Sequence, residues 1–206
     1  MKYKIIQGNC LEKLKELPEN SVDSIVTDPP YELGFMGKSW DNTGIANNKE
    51  MWAECLRVLS PGGYLLSFGG TRTYHRMACA IEDAGFEVRD MIEWVYGSGF
   101  PKSLNIGKAV DKLQGNEREV EKHHIQSQTN PEIHAGGSVH ITMPNNWDIT
   151  KGTSEWEGWG TALKPAHEPI CMARKPLAEK TVAENVLKYG TGGINVDESR
   201  VEPTGD

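Results

Sequence analysis

No apolar run in this 206-residue chain approaches the length of a membrane span, and the opening Met1 to Gln7 turns polar too soon for a secretory signal. Cytosolic residence is the expectation. Cysteine is scarce: Cys10, Cys55, Cys79 and Cys171 form no C-x-x-C pair and read as small core residues, which argues against a disulfide framework. Histidine clusters only as His123-His124 and as His134 with His140, in a polar stretch without cysteine partners, so no metal is expected. An excess of positive charge is missing too. A net charge of -7 argues against a protein that coats nucleic acid nonspecifically, though it leaves room for one basic face. Lys102, Lys108 and Lys112 recur along one segment and Lys164, Arg174, Lys175, Lys180 and Lys188 along another, a spacing that ordinary solvated faces share. There is no internal repeat. What remains, 37% hydrophobic and 25% charged residues, is the composition of a globular chain long enough for one well-packed domain.

The sharpest signal is Val22-Asp23-Ser24-Ile25-Val26-Thr27 followed by Asp28-Pro29-Pro30-Tyr31. The apolar residues fit a strand buried in a sheet, and Asp28 falls at its carboxyl end, where open α/β sheets place ligands. Two prolines then stop ladder pairing and stiffen the turn. A carboxylate, rigid backbone carbonyls and an aromatic ring are thereby expected together at one sheet edge. With residue usage near 5% each, this tetrapeptide arises by chance in roughly one chain in a thousand of this length.

Around it the pattern alternates. Lys2 to Gln7 reads as a strand, Cys10 to Leu17 as a helix, Val22 to Thr27 as a strand, and a helix starts after Asn48 with Trp52, Cys55, Leu56 and Leu59 on one face. Pro61-Gly62-Gly63 is expected to end that helix before a strand at Tyr64 to Phe68. Gly69-Gly70 follows, then a helix capped by Thr71 and running to Ala84, and a strand from Phe86 to Val95. The alternation is that of a layered α/β domain. Between Tyr31 and Asn48 lies a loop rich in Gly, Asn and aromatic residues, including Phe35, Gly37 and Trp40, of the length that binding loops have. A helix is expected from Asn105 to Leu113. Residues 115–160 then carry few apolar side chains and read as an irregular insertion, with Trp147, Trp156 and Trp159 as exceptions that must pack somewhere. Ile170 to Ala173 reads as a strand and Thr181 to Leu187 as an amphipathic helix.

With these pieces in order, the chain resembles the DNA amino-methyltransferases that methylate adenine N6 or cytosine N4, and more closely the permuted members often found in phage genomes. The residues that carry the resemblance are Gly8-Asn9-Cys10, Asp28 to Tyr31, Leu59 to Gly63, Gly97-Ser98-Gly99-Phe100-Pro101-Lys102, and Leu163-Lys164-Pro165 through Lys175-Pro176. It implies an α/β, Rossmann-like fold with a mixed, mostly parallel sheet and helices on both faces. It also implies S-adenosylmethionine as cofactor, DNA as partner, and Asp28, Pro29, Pro30 and Tyr31 as catalytic residues. Asn9 and Asp28 are implied near the cofactor, and Trp40, Lys102 and Lys164 near DNA. Asp as first residue of the tetrapeptide is commoner in the adenine enzymes. Residues 115–160 are the candidate target-recognition segment.

Members of this permuted order bind the cofactor with a Gly-rich loop, Asp-Pro-Phe-x-Gly-x-Gly, after the recognition region, and the chain to Asp206 carries none. The expectation is therefore a partial catalytic domain over 1–206, truncated or completed by a second polypeptide. Other readings are a noncatalytic DNA-binding remnant, a cytosine N4 enzyme, and amino methylation of RNA or protein.

Overall fold

The computed structural model describes residues 3–34, 39–97, 103–125, 146–163 and 166–201. They fall into two units, one of residues 1–97 with 166–206 and one of residues 98–165.

The first unit is built on a four-stranded sheet in the order β1-β2-β6-β3, with β1 Val22–Thr27, β2 Leu59–Phe68, β3 Glu87–Val95 and β6 His167–Arg174. β1 pairs parallel with β2, while β6 runs antiparallel to both of its neighbours. β1, β2 and β3 therefore share one direction and β6 alone opposes them, which makes the sheet mixed and mostly parallel in strand direction. Ile25, Leu65 and Ala173 stand in register on one face, and Leu65 and Ala173 are fully buried there.

Three helices cover that face: α1 Cys10–Lys15, α2 Lys49–Val58 and α3 Tyr74–Asp83. Met51, Trp52, Cys55 and Val58 recur at helical spacing on α2, as do Met77, Ala80 and Ile81 on α3, and all seven are buried. With Leu65, Phe86, Cys171 and Ala173, six of them, Val58 apart, form one apolar cluster, to which Leu11 and Leu14 of α1 add. Trp52 also satisfies its indole N–H, which donates to the Ala46 carbonyl at 2.9 Å. Arg57 donates to the carbonyls of Leu14 and Leu17 at 2.7 and 2.9 Å, closing the end of α1 with a cation. The other face is barer, with Val26 at 67% exposure, and α5 Val182–Tyr189 packs on β2. Asn185 of α5 is fully buried and donates to the Pro61 carbonyl at 2.8 Å. A short α6, Val196–Ser199, follows.

Several expectations are corrected. Residues 3–9 form no strand, and Tyr3 and Ile5 are exposed, because no described strand lies beside them to complete a ladder. The parallel crossover is instead β1-α2-β2. Pro61-Gly62-Gly63 lies within β2 and not in a turn before it: β1 advances from Val22 to Ser24 while β2 advances from Leu59 to Tyr64. That bulge removes Pro61 from the ladder and lets Gly62 adopt φ 79°. α3 starts at Tyr74, not after a Thr71 cap. Cys10 and Cys79 are exposed, while Cys55 and Cys171 are core residues as expected.

In the second unit, α4 Ile106–Gln114 is capped by Asn105. Within the stretch read as irregular, β4 Glu119–Ile125 pairs antiparallel with β5 Asn146–Lys151. The centre of this unit is charged. Arg118 is bonded to Asp111, to both carboxylate oxygens of Glu157 at 2.9 Å, and to the hydroxyl and carbonyl of Thr150 at 3.1 and 2.9 Å. Asp111 is 1% exposed. A Cβ on Gly107 would come within 2.6 Å of Glu157, so the glycine makes room for the carboxylate. Trp156 and Trp159 meet edge to face, 5.1 Å between centroids.

Candidate active site

β1 ends at Thr27 and delivers Asp28, exposed, to the edge of the sheet, followed by half-buried Pro29, Pro30 and Tyr31. Neither proline has an N–H, so this turn offers only carbonyls. Glu32 then takes the left-handed conformation, φ 56°, an uncommon state for a residue with a side chain. Its carboxylate accepts the Gly44 N–H at 2.8 Å and the Thr43 hydroxyl at 3.3 Å, which ties the chain after Tyr31 to the start of the next turn.

Tyr31 is held at its carbonyl and along its ring. Thr73 donates its hydroxyl to the Tyr31 carbonyl at 2.6 Å in place of capping α3. The ring lies on Gly70, where a Cβ would stand 3.2 Å from Tyr31 Cδ2. The close backbone approach that Gly69-Gly70 permits is thus to this ring. The Asp28 and Glu168 carboxylates stand on the side of its phenol. Burial first, then the two negative charges, push its acidity well above the ordinary phenol value, so it remains a neutral proton donor. A shallow cleft opens beside it, lined by Pro30, Tyr31, Asn47, Phe68, Gly70 and Tyr74 among others.

Glu168 reaches this edge because β6 is antiparallel. A strand that runs against its neighbours begins where they finish, so His167 and Glu168 arrive at the edge where β2 and β3, and beyond β2 also β1, end. The Gly69 N–H donates to the Pro169 carbonyl at 2.9 Å and locks that arrival. Tyr96, just after β3, also stands near Glu168, and its acidity is weakened by burial and by that charge.

Of the residues named from sequence, the structure brings together Asp28, Pro29, Pro30 and Tyr31. Trp40 lies in a short turn, Ser39–Asp41, and is 56% exposed. Asn9 caps α1, its side-chain oxygen accepting the N–H groups of Leu11 and Glu12 at 3.0 and 3.4 Å. Lys102 and Lys164, like Phe35 and Gly37, lie outside the described residues. Sequence reasoning missed Glu168, Thr73 and Gly70 as parts of the site. The signal for Glu168 was its place at the start of a strand, useful only once that strand's direction is known.

Residues 22–200 match the sequence profile of the DNA methylase family, N6/N4 type. The chain belongs to that DNA methylase family. Over 119 residues it is 36% identical to the type II methyltransferase M.HpaI of Haemophilus parainfluenzae, a match covering 55% of this chain and 38% of the relative. Over 234 residues it is 24% identical to the type II methyltransferase M.HindIII of Haemophilus influenzae, covering 93% and 64%. The chain thus spans less than two thirds of the length of these relatives. Among solved structures, M1.HpyAVI in complex with SAM is similar with a TM-score of 0.43 and 19% identity, over 85% of this chain and 55% of that one.

Proposed function

We propose that this chain forms the base-holding edge of a DNA methyltransferase that methylates the exocyclic amino group of a flipped-out base, adenine N6. The observation that carries the reading is an exposed carboxylate, Asp28, set at a strand end beside a donor-free prolyl turn and a fixed aromatic ring. The nitrogen of an aromatic amino group is a poor nucleophile because its lone pair is conjugated into the ring. Asp28 accepts one of its N–H bonds and a carbonyl of the Pro29-Pro30 turn the other, so the nitrogen can pyramidalise and present its lone pair. The carboxylate suits the positive charge that develops there. Transfer replaces one N–H by N–CH3 and releases one proton, which exposed Asp28 can pass to solvent. Tyr31 gives the flipped base a face to stack on, worth about 1 to 3 kcal/mol by analogy with single-strand binding.

The methyl donor in this proposal is S-adenosylmethionine. The glycine pair after β2 does not cradle it, because a Cβ on Gly69 would meet Met77 at 2.9 Å and one on Gly70 would meet Tyr31. Those two glycines are packed against the chain's own side chains. Trp40 and residues 115–160 are proposed to meet DNA, the latter to read its sequence. Deleting the β4–β5 strands should change sequence preference, and an unchanged preference refutes that role.

The test is incorporation of labelled methyl groups into DNA, with the product nucleoside identified after digestion. N6-methyladenine is expected. N4-methylcytosine would move the target to the other base of the family. Asp28→Ala should abolish incorporation while leaving the melting temperature unchanged, since the side chain is exposed. An active Asp28→Ala enzyme would sink the mechanism. DNA binding without incorporation by the wild-type chain would favour a noncatalytic module.

A further inference from the structure

The second unit displays an indole that its charged centre does not bury. Trp159 is 59% exposed, and Leu163 beyond it 92%. On a loose segment such a ring would turn inward, since burying an indole is among the larger apolar gains a side chain can make. Trp159 is held out by what lies beneath and beside it. Glu157, between the two tryptophans, is tied to Arg118 by two bonds of 2.9 Å. The Trp159 N–H donates to the Trp156 carbonyl at 3.1 Å, and the Trp159 carbonyl accepts the Ile106 N–H at 2.9 Å. Asn105 pairs with Gly160 in an isolated bridge, and the Ser103 hydroxyl oxygen accepts the N–H groups of Thr161 and Ala162 at 3.0 and 3.2 Å. These bonds frame an open groove lined by Ser103, Asn105, Trp159, Gly160, Thr161 and Leu163.

The exposed charge along these segments has one sign. Over residues 103–114 and 158–163 the exposed ionisable side chains are Lys108 and Lys112, while the one carboxylate, Asp111, is 1% exposed and bonded to Arg118. Asn105, Lys108 and Lys112 follow one another at i, i+3 and i+7, the spacing of one helix face, so a row of cations leads away from the groove that Asn105 lines. We infer that this groove binds single-stranded DNA, with Trp159 stacked on an unpaired base and Lys108 and Lys112 on the flanking phosphates. An aromatic face stacks on any base, and the cations answer the charge that each nucleotide brings. An apolar protein segment could cover Trp159 and Leu163 but would leave both lysines without a counterpart. The inference rests on the DNA contact proposed above for this unit and gives it a chemistry: an unstacked base, held without regard to sequence.

The test is direct binding of end-labelled single-stranded oligonucleotides to the full chain, followed by fluorescence anisotropy. Two probes share the same phosphate backbone, one carrying bases and the other abasic sites. The wild-type chain should prefer the first. Trp159→Leu, which keeps apolar bulk without a flat face, should shrink that preference about tenfold or more, the size of one base–aromatic stack. Trp159→Phe should keep most of it. Equal preferences in the leucine and phenylalanine variants, or an undiminished one in Trp159→Leu, overturn the inference and leave the wider DNA contact standing. Lys108→Gln combined with Lys112→Gln should weaken both probes alike and flatten the loss of affinity with salt; an unchanged salt slope overturns the phosphate half. A wild-type chain that binds neither probe overturns this inference together with the DNA contact it rests on. Self-association lost in Trp159→Leu with oligonucleotide binding intact would assign the groove to a second copy of the chain, which also overturns it.

Discussion

The two units of the chain are centred on opposite chemistry. Around Trp52, Leu65 and Ile81 the first is organised by apolar burial, which rewards area and tolerates small changes of shape. The second gathers about Arg118 with Asp111 and Glu157, where each donor has one partner position and removal of one member strands another. An apolar centre is specified by how much is buried, a charged one by where each atom sits.

Four perturbations test that contrast. Trp52→Ala removes the largest fully buried side chain and should cost about 3 to 5 kcal/mol, read as a lowered denaturant midpoint with α2 and β2 amides exposed together. Arg118→Ala should open β4 and β5 to hydrogen exchange while α2 and β2 stay protected, since it leaves buried Asp111 without its cation. Loss spread evenly over both units would break the distinction. Acid should act on the same centre. Hydrogen bonds from Arg118 hold the Glu157 carboxyl below the usual carboxylate range. Such a group contributes stability that is complete above its unfolded value, about 4.3, and is lost as pH falls through the lower folded value. Protection of β4 and β5 should therefore fade as pH drops below about 4.3, before that of β2 and β6, when exchange is followed across the titration. The smallest effect is at the surface of the apolar unit. Asn48 accepts the N–H groups of Glu50 and Met51 at 2.8 and 3.3 Å, so Asn48→Ala should cost about 1 kcal/mol with no change in the pH dependence.

The same contrast explains what could be read from the sequence. β1, α2 and the tetrapeptide were legible because apolar spacing and prolines act locally, and Asn48, Asn105 and Thr181 mark their helices by capping. The β4–β5 pair was hidden because hydrophobic periodicity is silent about a fold centred on a guanidinium. Pro61-Gly62-Gly63 misled because those residues suit a turn and a bulge equally well, and only the pairing of Val22 and Ser24 selects the bulge. Glu168 was invisible as a site residue for a different reason. Nothing local connects it to Tyr31; the connection exists only through the reversed strand in the middle of the sheet.

That reversed strand also sets an order of events during synthesis. β2 and β3 are close in sequence, yet the strand that must separate them, His167–Arg174, is translated long after both. At cellular elongation rates the interval between Tyr31 and Glu168 leaving the ribosome is on the order of ten seconds. For that time a nascent chain holds Asp28 and Tyr31 without their partner, and β2 and β3 present unpaired edges open to each other or to a neighbouring chain. Ribosome-bound chains stalled before His167 should be more prone to aggregation than those stalled after Arg174, and Glu168 joins the edge that carries Asp28 and Tyr31 only at the end of that wait.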